Sequence, residues 1–278
     1  MILKKCRVCN SRKLKKILSL GHQPLANNLA INKVKLKTYP LELNLCMKCY
    51  NCQLSVNVSS NKLFNKYLYK SSISRNFINH FAIAAKKYKK LFNLKKKSYI
   101  LDIGSNDGIG LLSFKKEKFE NLYGIEPAIN LSKITRKMGI KTFNCFLNRQ
   151  LSNKLKNKFD LITASNVYAH VPNINEFTYC VKNILKQDGV FIVEVQYLYR
   201  MIKDLSFDNI YHEHVNYWSI KSLSNFLYRN NLLIFNVEEI DTHGGSIRVY
   251  IKKKNNLNPK ISDNVKLLLK KEIKFGLN

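Results

Sequence analysis

The run Tyr99-Ile-Leu-Asp-Ile-Gly104 has strand length and stops at a glycine, and it constrains the fold more than any other segment. An almost unbroken apolar run of this size, without alternation, reads as a parallel strand buried on both faces. Gly104, Gly108 and the helix-forming stretch behind them complete a strand, a tight turn and a helix. That unit builds doubly wound sheets. The alternation continues with strands over 122–126, 141–143, 161–165 and 189–195, and helices over 131–138 and 174–186. A helix over 219–230 precedes two strands, 232–240 and 246–252, separated too briefly for a crossover helix. They predict an antiparallel hairpin at one edge. The expected class is α/β with a Rossmann-like sheet, and ligands belong at the carboxyl ends of its strands.

The loop at that edge, Asp102-Ile-Gly104-Ser-Asn106-Asp-Gly108, is neither G-x-G-x-x-G nor a P-loop, which argues against dinucleotides and ATP. Its glycines allow close backbone approach. Asp102, at the mouth of the strand, suits an ammonium group better than a pyrophosphate. Glu126 ends the next strand 24 residues later, where a carboxylate can chelate ribose hydroxyls. The pair describes S-adenosylmethionine: amino-acid end at the glycine loop, ribose on Glu126.

Five of the seven cysteines fall within the first 52 residues. Cys6-x-x-Cys9 and Cys46-x-x-Cys49 are two knuckles whose four thiolates suit a closed, structural, tetrahedral Zn²⁺. Cys52 repeats the spacing after Cys49 and competes as a ligand. Cys145 and Cys180 read as small core residues. Residues 1–60 read as short strands and turns, too few for a good core of their own, and a metal would supply the missing stability. Residues 62–94 carry helical apolar spacing and lead into a Lys-rich linker.

The formal charge of +30 comes from 48 basic and 18 acidic side chains. Only eight of the basic residues are Arg, and the Lys residues spread along the whole length, so they read as solvated surface, or as steering for an anionic ligand, rather than a nucleic-acid site. The start, Met1-Ile-Leu-Lys-Lys-Cys6, lacks an apolar leader, and no run reaches the roughly 18 apolar residues of a membrane helix. A cytoplasmic protein with no membrane or nucleic-acid partner is expected.

Histidines cluster in Asn166-Val-Tyr-Ala-His170, Tyr211-His-Glu-His214 and His243-Gly-Gly-Ser246. The first follows the fourth strand of the sheet and the second follows the fifth, so both can face the ligand edge. Histidine is the natural general base near neutral pH, and Tyr or a second His can stabilise a developing oxyanion. His212, Glu213 and His214 lack a helical metal-ligand spacing such as His-Glu-x-x-His.

Taken together these segments resemble the zinc-containing, S-adenosylmethionine-dependent sugar C-methyltransferases of the tetronitrose C-3-methyltransferase type. The matching residues are the two knuckles, Gln23-Pro-Leu-Ala-Asn27, Tyr67-Leu-Tyr69-Lys-Ser-Ser-Ile-Ser74 and Leu101-Asp-Ile-Gly-Ser-Asn-Asp-Gly108. They continue with Gly124-Ile-Glu-Pro127, Asn166 to Val171, Ile210 to Val215, Tyr217 and His243-Gly-Gly-Ser-Ile-Arg248. The resemblance implies a class I methyltransferase sheet behind a small zinc-binding domain, and a nucleotide-linked 4-keto-deoxysugar as substrate in deoxysugar or polysaccharide biosynthesis. His214 would remove the proton next to the ketone, with Glu213 fixing its imidazole. Tyr211 and His170 would orient the sugar or hold the oxyanion. Tyr69, Asp102, Gly104, Asn106, Gly108, Glu126 and Asn166 would bind the cofactor, His243 and Ser246 the substrate, and Cys6, Cys9, Cys46 and Cys49 the zinc.

The expected domains are a zinc-binding part over 1–62, a helical connector over 63–97, the methyltransferase domain over 98–254 and the start of a carboxyl-terminal region over 255–278. Family members generally continue as a further α/β domain. A fragment, a smaller substrate, or a separate chain supplying that domain is therefore expected. Two alternatives stand beside this reading: an RNA or other small-molecule methyltransferase, and a module that binds S-adenosylmethionine without turnover. Against the RNA reading, an Asn-Pro-Pro-Tyr-type motif and a Pro-Cys nucleophile are both absent.

Overall fold

The computed structural model describes residues 2–28, 35–64, 67–255 and 260–277. Its strands, in chain order, are β1 (Leu14–Pro24), β2 (Thr38–Cys46), β3 (Cys52–Leu54), β4 (Tyr99–Ile103), β5 (Asn121–Ile125) and β6 (Lys141–Phe143). They continue with β7 (Phe159–Ser165), β8 (Leu185–Gln196), β9 (Asn216–Tyr217), β10 (Leu232–Ile240) and β11 (Ser246–Lys253). The helices are α1 (Ser60–Phe64), α2 (Arg75–Leu91), α3 (Ile109–Lys116), α4 (Ile129–Lys137) and α5 (Arg149–Lys154). After these come α6 (Ile174–Ile184), α7 (Leu198–Lys203), α8 (Ile220–Arg229) and α9 (Asp263–Phe275). No helix among the described residues is long and apolar enough to cross a membrane.

The chain forms two compact units. One gathers residues 64–165 and 176–192. Here β4 pairs in parallel with β5 on one side and β7 on the other, and β6 extends the sheet beyond β5. Ile100, Leu101, Leu161 and Ile162 are fully buried, as expected of strands covered on both faces. The helical spacing read over 62–94 resolves into α1, a short 3-10 turn at Ser71–Ile73, and α2, with residues 65 and 66 outside the described residues. Ser74 starts α2 by accepting the Phe77 N–H, and Ala84, Ala85 and Tyr88 form its buried stripe.

The other unit contains residues 1–63, 166–175 and 193–278, so the amino-terminal segment packs with the carboxyl-terminal half of the chain. Of the stretch 255–278, residues 256–259 and 278 lie outside the described residues. Its antiparallel sheet has the order β1-β2-β3-β9, which brings Tyr217 against Cys52 and Asn216 against Gln53. An apolar core of Leu41, Leu43, Cys52, Leu54, Leu198, Met201, Ile210, Val215 and Tyr217 welds the early strands to the segment around residue 210. β10 and β11 form the expected antiparallel hairpin. Inside this unit Arg248 and Glu194 make a buried ion pair at 2.7 Å. Glu272 of α9 is also buried, and its carboxylate accepts the free N–H groups of Ile220 and Lys221 at the start of α8.

Candidate functional site

The cofactor loop lies between β4 and α3. Gly104 (φ +69°), Asn106 (φ +51°) and Gly108 (φ +84°) are all left-handed, and a Cβ on Gly108 would meet Thr135 Cγ2 at 2.8 Å. Asp102 is nearly buried, with Oδ1 accepting the Thr163 hydroxyl at 2.7 Å. Glu126 holds the loop: Oε2 accepts the Asn106 N–H and Oε1 the Ala128 N–H, both at 2.8 Å. Each of its oxygens retains a second acceptor site for a ribose hydroxyl. Burial raises the Glu126 carboxyl above its ordinary range, against the pull of those two amides.

A second strand of chain closes on the loop, through contacts that loop spacing alone does not reveal. Asn106 Oδ1 accepts the Ser71 N–H, its Nδ2 donates to the Tyr69 carbonyl, and Asp107 Oδ2 accepts the Ser72 N–H. The Tyr69 ring is exposed over much of its surface, and its partial burial, with Asp107 nearby, raises the phenol. Asp107 Oδ1 and Ser105 Oγ are buried without a hydrogen-bond partner among the described residues. These orphan acceptors, the acidic strand end and the left-handed glycine turn fit the zwitterionic amino-acid end of S-adenosylmethionine.

In the other unit, Cys6, Cys9, Cys46 and Cys49 bring their sulfurs within 4.8 Å of one another. Two of the separations are 3.6 Å: Cys6 to Cys49 and Cys9 to Cys46. Thiolates about 2.3 Å from a tetrahedral zinc lie about 3.8 Å apart, so the cluster fits that ion. The knuckles share one geometry. Asn10 N–H donates to the Cys6 carbonyl and Tyr50 N–H to the Cys46 carbonyl, with φ at +58° and +59°. Cys52 stays outside the cluster; it is buried in β3, and burial pushes its thiol up to about 12.

The histidine blocks converge within this same unit. His214 uses both ring nitrogens: Nδ1 lies 2.9 Å from the Asn209 carbonyl, and Nε2 lies 2.9 Å from the Tyr211 hydroxyl. A carbonyl only accepts, so Nδ1 carries the hydrogen and Nε2 receives the phenol's. This corrects the expectation that Glu213 fixes the ring. Glu213 instead accepts from Asn27 through Oε1, and the Asn209 backbone orients His214. The His170 ring packs edge-on to that of His214, with centroids 4.8 Å apart. Burial drives His170 down to about 4, against the pull of the Glu213 and Asn166 carbonyls. Burial, then His170, hold His214 well below its ordinary value. Burial, with Glu213 nearby, raises Tyr211, so the cluster rests as neutral imidazoles and an intact phenol.

The remaining predicted residues divide. Asn166 (φ +57°) keeps a buried Oδ1 without a partner among the described residues. His243 is exposed on a left-handed turn, and its charge acts on both His170 and His214. Ser246 is fully buried, and its hydroxyl closes the turn by donating to the Thr242 carbonyl at 2.9 Å. His212 faces away from its neighbours' work: its Nε2 lies 3.3 Å from the Pro40 carbonyl and its ring meets Tyr39 edge-on.

Comparison with known proteins agrees with both halves. A methyltransferase domain family model matches residues 77–236, and a zinc binding domain model matches residues 6–64. The C-methyltransferase NovU of Streptomyces niveus is 29% identical over 251 residues, covering 88% of this chain and 60% of that protein. The chain thus spans about three fifths of this relative's length. Two solved structures share the fold. PH0226 protein from Pyrococcus horikoshii OT3 has a TM-score of 0.53 at 13% identity, covering 67% of this chain and 95% of its own. An S-adenosylmethionine-dependent methyltransferase from Clostridium acetobutylicum ATCC 824 has a TM-score of 0.51 at 16% identity, covering 63% and 92%. With the glycine turn and acidic strand ends suited to S-adenosylmethionine and four thiolates at zinc spacing, the chain belongs to the methyltransferase domain family and carries a zinc-binding segment at its amino-terminal end.

Proposed function

We propose that this chain is a C-methyltransferase that deprotonates the carbon beside the ketone of a nucleotide-linked 4-keto-deoxysugar and methylates it. The observation that carries this reading is the hydrogen-bonded series from the Asn209 carbonyl through His214 to the Tyr211 hydroxyl. A neutral amine attacks a sulfonium methyl through its own lone pair, whereas a carbon acceptor has none until it loses a proton. A buried base with a fixed tautomer and a phenol on its free nitrogen supplies that step. NovU, a C-methyltransferase by name, supports the same choice.

Bound S-adenosylmethionine would supply an electrophilic methyl group to the enolate carbon, its S–CH₃ bond breaking to leave the neutral thioether S-adenosylhomocysteine. Asp102, Asn106, Asp107 and Glu126 would hold its polar ends. The substrate's C–H proton passes to the Tyr211 oxygen as the phenol's own proton passes to His214 Nε2, and the C–H electron pair becomes the enolate. The resulting imidazolium keeps its Nδ1–H on the Asn209 carbonyl. His170, whose ring packs against that of His214, would orient the sugar beside the base.

The test is calorimetric titration with S-adenosylhomocysteine, then with a thymidine-diphospho-4-keto-6-deoxysugar, followed by proton exchange of that sugar in D₂O. Binding of both, with exchange at the carbon beside the ketone that His214→Ala abolishes, is expected. Cofactor binding without exchange in any 4-keto sugar would refute the proposal.

A further inference from the structure

The motif Gln23-Pro-Leu-Ala-Asn27 has no part in zinc binding or in the proton path described above. It forms the end of β1 and the turn behind it, closed by the Asn28 N–H on the Leu25 carbonyl at 3.0 Å and by Gln23 Nε2 on the Leu20 carbonyl at 2.9 Å. Asn27 is exposed on this turn, yet its Nδ2 donates to Oε1 of Glu213, a side chain with 2% exposure and 186 residues further along the chain. A carboxylate so enclosed needs donors, and Asn27 brings one from the turn behind β1.

Its neighbours on either side are already committed. His212 reaches the Pro40 carbonyl, and His214 is held between Asn209 and Tyr211. Glu213 therefore acts through placement. The Tyr211–His214 turn that carries it is closed by the His214 N–H on the Tyr211 carbonyl at 3.0 Å, and it holds the phenol on His214 Nε2.

We infer that Asn27 is a positioning residue for the transfer reaction: its carboxamide anchors the buried Glu213 carboxylate, and with it the Tyr211–His214 turn that seats the phenol on His214. The inference rests on the proposed C-methyl transfer. It makes the amino-terminal turn part of the proton path, although Asn27 touches neither reacting atom.

Asn27→Asp separates this from a turn-building role, because aspartate keeps the size and turn preference of asparagine while replacing the donor with a second carboxylate. In the zinc-loaded chain, Asn27→Asp should slow exchange of the sugar proton at least 30-fold and Asn27→Ala about 10-fold. The fall should be in kcat rather than KM, with zinc content and S-adenosylhomocysteine affinity unchanged. Exchange within twofold of wild type in Asn27→Asp would overturn the inference.

Failure of the functional reading shows differently, as no exchange in the wild type itself. A substrate-free arm then decides the positioning role. In ¹⁵N-labelled protein the Asn27 side-chain amide should be shifted by its charged acceptor and return to an ordinary carboxamide position in Glu213→Gln. An amide that does not move overturns the contact and the inference with it.

Discussion

Lowering the pH should destabilise the unit that holds the histidine cluster, by an amount that can be assigned to one ring. His170 drops on folding from 6.5 to about 4 because burial disfavours its charged form. Between those values the unfolded chain binds one more proton at this site than the folded chain. Stability therefore falls as pH falls from 6.5 toward 4, and is fully present above 6.5. Integrating the linkage relation from pH 7.5 to 5.5 gives a loss of about 1.3 kcal/mol for His170 alone. His214, also held neutral by burial, adds a loss of the same sign. The protein's one tryptophan, Trp218, is fully buried in the same unit, so its fluorescence in urea reports this unfolding directly. Zinc-loaded wild type and His170→Gln should diverge, the variant losing about 1.3 kcal/mol less over that interval. Proton-dependent loss of metal acts on both and cancels in the comparison. Parallel stability curves would refute the argument. So would an NMR titration of the His170 ring with a midpoint near 6.5, a measurement that needs no variant.

Three further outcomes follow from single contacts. Cys46→Ser should release the metal and lower the thermal midpoint sharply, because the zinc supplies folding free energy to a segment with little core of its own; an unchanged metal content would remove the four-thiolate site. Tyr50→Asn should raise stability by about 0.5–1 kcal/mol in urea unfolding, since asparagine tolerates the φ of +59° that tyrosine resists, and a loss of stability would show that the Tyr50–Lys221 contact outweighs the strain. Gly108→Ala should cost about 2 kcal/mol and reduce S-adenosylhomocysteine affinity by more than tenfold by calorimetry, because its Cβ meets Thr135 in a left-handed turn; Thr135→Ala in the same chain should recover only the steric part.

What the sequence made legible is local in the chain. The knuckle spacing, the strand ending at Gly104, Glu126 one strand later and the closing hairpin each depend on residues a few positions apart, where periodicity and turn chemistry act. Short-range patterns did less well where tertiary contacts decide. α7 and α9 carry little mark in the sequence: α7 has six residues, and the inward stripe of α9, Val265, Leu268 and Glu272, includes a carboxylate that caps α8. The pairing of β3 with β9 joins Cys52 to Tyr217 across most of the chain. Neither residue announces that partner.

The contrast is sharpest in the histidine cluster, where the sequence shows the residue types and not the wiring. Tyr211, Glu213 and His214 stand out as chemistry-bearing side chains, and a carboxylate next to a histidine in sequence invites the inference that one orients the other. In this backbone, however, adjacent side chains diverge. The His214 tautomer is set by a main-chain carbonyl at Asn209, a group every residue carries and no sequence pattern marks. Glu213 bonds elsewhere, and one donor to it, Asn27, comes from the turn behind β1. The motif around Asn27 and the one around His214 thus become a single feature only in three dimensions. A substitution in the first should be read as a change in the second.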